Sequence, residues 1–159
     1  MNAPKVSYPF LLAQLSELIR SCPLPLPALA NFAALLWEAL PQINWAGFYL
    51  LRGNRLILGP FQGKVACTVI PVGKGICGTA AAARAVQLVP DVHAFPGHIA
   101  CDSASRSEIV LPLIAHGKLV GVMDIDSPIL NRFTETDAKG LGSLCELLTS
   151  DLRWEDGVL

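Results

Sequence analysis

The period of the hydrophobic pattern changes twice along this chain, and that change limits the folds open to it. At the start, YPFLLAQLSELIR places Leu11, Leu12, Leu15, Leu18 and Ile19 at the spacing of an amphipathic helix. Prolines at 23, 25 and 27 interrupt it, and a second helix is predicted through ALANFAALLWEAL as far as Pro41. The middle reads as strands. INWAGFYLLRG and NRLILGPFQG flank a Gly-Asn turn, ACTVIPV forms a third strand and AVQLVP a further one. Between these last two, the alanine run of GKGICGTAAAARA is helical. SEIVLPLIAHGKLVGVMDIDSP is predicted to be a tight hairpin about His116-Gly117. The final element opens on a capping pattern at Thr134 and carries Leu141, Leu144, Cys145, Leu148 and Leu152 on one face. Helices at both ends of a block of mostly antiparallel strands imply an α+β sandwich with helices packed on one sheet.

The 159 residues fit one domain, and a hydrophobic content of 52% is ample for its core. Formal net charge is −1, with both signs interspersed. That balance provides no basic field for nucleic acid or an anionic membrane. The first 30 residues lack the plan of a secretory leader, and no apolar run approaches the roughly 18 residues needed to span a bilayer. The expectation is a cytoplasmic protein whose partner is a small molecule or another protein.

In a reducing compartment, clustered thiols point to chemistry rather than to a structural staple. Cys145 reads as core within the apolar stripe of the last helix, and Cys22 as incidental beside the proline-rich turn. Cys67, Cys77 and Cys101 differ, because they occupy the glycine-containing stretches GKVACTVIPVGKGICGTA and FPGHIACDSASRSEI. They form either a redox relay or a metal site. Zinc knuckles require short C-x₂-C spacings, which are absent, so the Cys/His alternative with His93 and His98 is the weaker one. Cys77 falls in the first turn of a predicted helix, where free N–H groups favour a thiolate, and on that ground alone it is the preferred nucleophile.

A second constellation lies in GVMDIDSP, where alternation puts Asp124 and Asp126 on one strand face, with Cα atoms about 6.8 Å apart. Val120 and Val122 are expected on that same face, which implies a partly enclosed pocket. Such carboxylates hold an ammonium or share a proton. Glu108 joins them only if the hairpin has a three-residue turn or a bulge, which Pro112 in the middle of its strand favours, because a strict two-residue turn sets it opposite Ile125. Trp45 and Tyr49, four apart in one strand, share a face and serve either as core or as the wall of a pocket for a cationic or thioether ligand. The long stretch DVHAFPGHIACDSASR follows no periodicity, and loops of that length in compact domains are functional or disordered.

Together NWAGFYLL, GPFQGKVACTVIPVGKGICGTAA, PDVHAFPGHIACDSASRSEIVLPL and GVMDIDSP resemble the free methionine-R-sulfoxide reductases, a family of GAF-domain enzymes. The resemblance covers nearly the whole chain. It implies a single GAF domain over residues 1–159, with N-terminal helices at 8–40, a six-stranded antiparallel sheet and active-site loop at 43–127, and a C-terminal helix at 134–154. It further implies that Cys101 attacks the sulfoxide sulfur of free L-methionine-R-sulfoxide and becomes a sulfenic acid, which Cys67 converts to an intramolecular disulfide, with Cys77 as an alternative resolving thiol. Thioredoxin would recycle the enzyme. Glu108, Asp124 and Asp126 match the acidic residues that bind the substrate ammonium, and Glu108 and Asp126 also help protonate the oxygen; Trp45 and Tyr49 match the aromatic wall. The family is commonly homodimeric and uses no metal or organic cofactor. Cys101 takes precedence over Cys77 as nucleophile because a sulfoxide is a poor electrophile until its oxygen is protonated, so the attacking sulfur must lie beside the carboxylates. A non-catalytic GAF sensor for a small molecule is the competing reading.

Overall fold

A computed structural model describes residues 5–158. Helix α1 spans Tyr8–Ser21, with Ser7 as its N-cap, its hydroxyl accepting from the Phe10 N–H, and Leu11, Leu15 and Ile19 buried. Helix α2 spans Pro25–Ala39, so the predicted interruption is shorter than the prolines suggest. Pro25 and Pro27 lie in the first turn, where a proline removes an N–H that has no helical partner anyway. The strands are β1 (Trp45–Arg52), β2 (Arg55–Gly63), β3 (Val69–Pro71), β4 (Gln87–Val89), β5 (Ser107–Ala115) and β6 (Lys118–Ser127). Helix α3 (Gly75–Ala83) separates β3 from β4, and α4 (Glu135–Asp151) closes the order. The expected capping box at the start of α4 is present between Thr134 and Asp137.

All neighbours pair antiparallel, in one six-stranded sheet ordered β3-β2-β1-β6-β5-β4. The expected α+β class and strand count therefore stand. β1, β6 and β5 form the middle of the sheet, and their alternation gives it two unlike faces. One face presents Ala46, Phe48, Ile109, Leu111, Met123 and Ile125 to the buried sides of α1, α2 and α4. The opposite face presents Trp45, Tyr49, Val110 and Val122 to α3 and the 90–106 loop.

The β5–β6 hairpin turns at His116 (φ 51°) and Gly117 (φ 76°), both left-handed, as a two-residue turn that matches strand twist requires. Ala115 pairs with Lys118 and Ile114 with Leu119, but Leu113 pairs with Gly121, so Val120 is bulged out of the ladder. This single extra residue shifts every later pair by one, and Glu108 comes to lie opposite Asp126 rather than Ile125. The bulge sits beside the turn and not at Pro112, which pairs in plain register with Val122. It also corrects the placement of Val120, which packs against the α1/α2/α4 core, while Val122 stays on the opposite face.

Candidate active site

The floor of the site is the β5–β6 ladder. Glu108 and Asp126 are cross-strand partners and Asp124 lies two residues back on the same face. Glu108 and Asp124 are each only 6% exposed. Burial is the main reason that all three carboxyls are raised, Glu108 and Asp126 well above the usual carboxylate range; the negative charge of Asp124 adds to both. Burial and mutual repulsion thus favour the protonated forms within the cluster. Among the described residues, one oxygen of Asp124 and one of Asp126, each buried, accept from no donor outside the cluster itself, so the floor has acceptors to offer a cation or a donor.

Two thiols meet above this floor. Cys67, in the segment after β2, and Cys101, in the 90–106 loop, are joined as a disulfide with Cα atoms 5.5 Å apart. Cys101 lines the same pocket as Glu108, Asp124 and Asp126. The hydroxyl of Tyr49 donates to the Cys67 carbonyl at 2.9 Å and ties the segment after β2 to β1. Cys77 occupies the first turn of α3 as expected, but it is buried and its thiol points to Glu108, donating to Oε1 at 3.9 Å. Burial, then the charges of Asp124 and Glu108, push this thiol up. These effects outweigh the helix N-terminus, so the thiolate argument that favoured Cys77 as nucleophile fails in this environment.

The walls are aromatic. Trp45 stacks on Tyr49 with centroids 5.8 Å apart, and Phe61 stacks on the other side of Trp45 at 5.1 Å. Phe61 reaches this position because β2 bulges opposite Phe48, and because Gly47 faces it; a Cβ at Gly47 would collide with Phe61. The Trp45 indole N–H donates to the Lys64 carbonyl at 3.2 Å. Lys74, His98 and Ile99 complete the rim. Lys74 is a basic residue at the pocket that sequence reasoning did not place there.

Sequence reasoning also missed a polar bracket between floor and loop. Asn44 donates from Nδ2 to Asp102 Oδ2 (2.9 Å) and to Ser105 Oγ (3.0 Å), and Ser105 Oγ donates to Asp126 Oδ2 (2.8 Å). These residues stand within the motif stretches, but 58 and 61 positions separate Asn44 from its partners, a distance no periodicity spans.

Among the described residues, Cys77 Sγ and one oxygen each of Glu108 and Asp124 form the group whose spacing, within 4.8 Å, matches a metal site. The donor chemistry fits an ion poorly, because burial favours the protonated forms of both the thiol and the Glu108 carboxyl, whereas a metal needs them deprotonated. His93 and His98 stack edge to face at 6.2 Å, with His93 paired to Asp91 at 3.6 Å.

The sequence profile of the GAF domain matches residues 29–150. Free methionine-R-sulfoxide reductase of Escherichia coli is 57% identical over 131 residues, which cover 82% of this chain and 79% of that protein. The chain belongs to the free methionine-R-sulfoxide reductase family. Membership makes it an oxidoreductase built on a GAF domain. Two crystallised relatives superimpose closely. The reduced form of the Staphylococcus aureus enzyme, fRMsr, is 48% identical with a TM-score of 0.90, covering 94% of this chain and 97% of that one. The Neisseria meningitidis free methionine-R-sulfoxide reductase, in complex with its substrate, is 44% identical with a TM-score of 0.87 and covers 94% of each chain. Among the described residues, no helix is long and apolar enough to cross a membrane.

Proposed function

We propose that this chain reduces free L-methionine-R-sulfoxide to L-methionine by thiol attack. The observation that carries the reading is the joining of Cys101 to Cys67 in the pocket floored by the buried carboxyls of Glu108, Asp124 and Asp126. Cys101 as thiolate attacks the sulfoxide sulfur while Glu108 or Asp126 delivers a proton to the oxygen, which turns a poor electrophile into a competent one. The hydroxyl then passes from the substrate sulfur to Cys101 Sγ as the S–O bond breaks, so methionine leaves reduced and Cys101 becomes a sulfenic acid. The Cys67 thiol then attacks the Cys101 sulfur, the disulfide forms, and the hydroxyl departs as water. A dithiol reductant, thioredoxin in the cell, returns both sulfurs to thiols by exchange. Cys77 is held in reserve as an alternative resolving thiol.

The floor performs two tasks because its three carboxyls do not ionise alike. An arriving ammonium favours ionisation of its nearest neighbour, and the remaining groups keep protons to donate. Asp124, with its unpartnered oxygen, binds the ammonium together with Glu108 and Asp126. Trp45 and Tyr49 pack against the thioether, and Lys74 with the N-terminal N–H groups of α3 offers a place for the carboxylate. We place the working protein in the reducing cytoplasm, as a homodimer acting in repair of oxidative damage.

Methionine release from each separate sulfoxide enantiomer, with dithiothreitol as reductant, tests this reading. Turnover is expected for the free R form only, and at least 100-fold slower for the N-acetylated R form, because acylation removes the charge that satisfies the buried carboxylates. Binding without methionine release would favour the sensor reading instead.

A further inference from the structure

Asn44 links the floor, the loop and the start of β1. It precedes β1, and its backbone N–H donates to the Asp126 carbonyl at 2.9 Å, so its position is fixed by the floor strand itself. Its side chain reaches the other way. Asp102 accepts only, so the carboxamide must turn its NH₂ toward the loop, and the two amide hydrogens serve Asp102 at 2.9 Å and Ser105 at 3.0 Å. Because Ser105 Oγ accepts from Asn44, its single hydrogen is free for Asp126, 2.8 Å away. The hydrogen bonds thus run in one direction, Asn44 to Ser105 to Asp126. Ser105 is 4% exposed, so water does not compete effectively for this chain. Asp102, the neighbour of Cys101, is further fixed by the Ala104 N–H at 2.9 Å.

We infer that Asn44 and Ser105 are positioning residues for the reduction: Ser105 orients the Asp126 carboxyl, and Asn44 clamps the loop carrying Cys101 to the floor strand, so that attacking sulfur and carboxyl keep a fixed separation. This inference rests on the proposed reaction. The physical need is plain, since a thiol on a long loop loses orientation unless something polar fixes it. Ser105 is the hydroxyl that donates to Asp126, so its removal leaves this carboxyl held by its hydrogen bond with the Asp124 carboxyl alone. Asn44 and Ser105 touch no reacting atom in this scheme; they act through Asp126 and Asp102.

The test is a double-mutant cycle on kcat/KM for free methionine-R-sulfoxide. Ser105→Ala should lower kcat/KM about 10- to 100-fold, within the range for depriving a buried polar group of its hydrogen-bond partner. Ser105→Thr, which keeps the hydroxyl, should restore most of it. If Ser105 acts through Asp126, adding Ser105→Ala to Asp126→Asn should cost less than threefold more. Asn44→Ala should lower kcat/KM and also slow formation of the Cys67–Cys101 disulfide in a single turnover, which Ser105→Ala should do less. Equal losses from Ser105→Ala in the wild-type and Asp126→Asn backgrounds would overturn the relay, as would wild-type kinetics in Ser105→Ala. Should Ser105→Ala not fold, failure of the well-folded Ser105→Thr protein to exceed tenfold-reduced activity would also count against it. Wild-type protein inactive on the free sulfoxide would instead sink the proposed reaction.

Discussion

The two faces of the same three strands solve opposite problems. On one, Phe48, Ile109, Leu111, Met123 and Ile125 alternate inward and are buried against α1, α2 and α4. On the other, at the intervening positions, stand Trp45, Tyr49, Glu108, Asp124 and Asp126. Hydrophobic burial at about 25 cal/mol per Å² makes the first face the source of stability. The second face buries carboxyls that would ionise freely in water, an arrangement that opposes folding unless protons or a cation compensate. A pleated sheet allows this division because, outside the bulge at Val120, adjacent residues point to opposite faces.

The sharpest separation of the faces is by loss of chemistry. Cys101→Ser should abolish turnover, including the single methionine that a Cys67→Ser protein still releases, because only the attacking thiol is needed for the first reduction. Next come Glu108→Gln and Asp126→Asn. Each should lower kcat by about 10² to 10⁴ at saturating substrate, the usual range for general acid catalysis, and raise KM as well. Asp124→Asn should act mainly on KM.

On the opposite face, Leu111→Ala should destabilise the fold by about 2 to 5 kcal/mol, read by urea unfolding, yet leave kcat/KM per folded molecule unchanged. A large kinetic loss there would break the division. The smallest expected effect is a pH trend. Glu108 and Asp126 are raised on folding from ordinary values of 4.5 and 3.8. Above those values the unfolded chain ionises while the native state keeps its protons, so each group makes stability fall as pH rises toward its native value. Unfolding free energies of wild type should therefore decline relative to Glu108→Gln between pH 4 and 7. A gap that stayed constant over that window would mean that folding leaves the Glu108 carboxyl at its unfolded value.

The apolar face was legible from sequence because alternation and helical spacing are short-range signals; the stripe from Leu141 to Leu148 is buried as its spacing predicts. The site was legible in parts. Asp124 and Asp126 follow from strand parity alone, whereas Glu108 depends on whether the hairpin bulges, which parity cannot decide. The bulge at Val120 answered that and moved Val120 itself to the other face. The helix-start argument for a Cys77 thiolate is opposed by burial and by the carboxyls that the fold brings beside it, which its sequence position does not show. Asn44, Phe61 and Ser105 were missed because each depends on a contact between distant segments.

The central claim is that Cys101 attacks and Cys67 resolves. Reduced protein mixed with one equivalent of free L-methionine-R-sulfoxide, without reductant, then denatured, alkylated and mapped by peptide mass spectrometry, tests it directly. The account predicts one methionine per chain, a Cys67–Cys101 disulfide, and Cys77 recovered alkylated. Methionine released with Cys77 in the disulfide and Cys101 alkylated would contradict it.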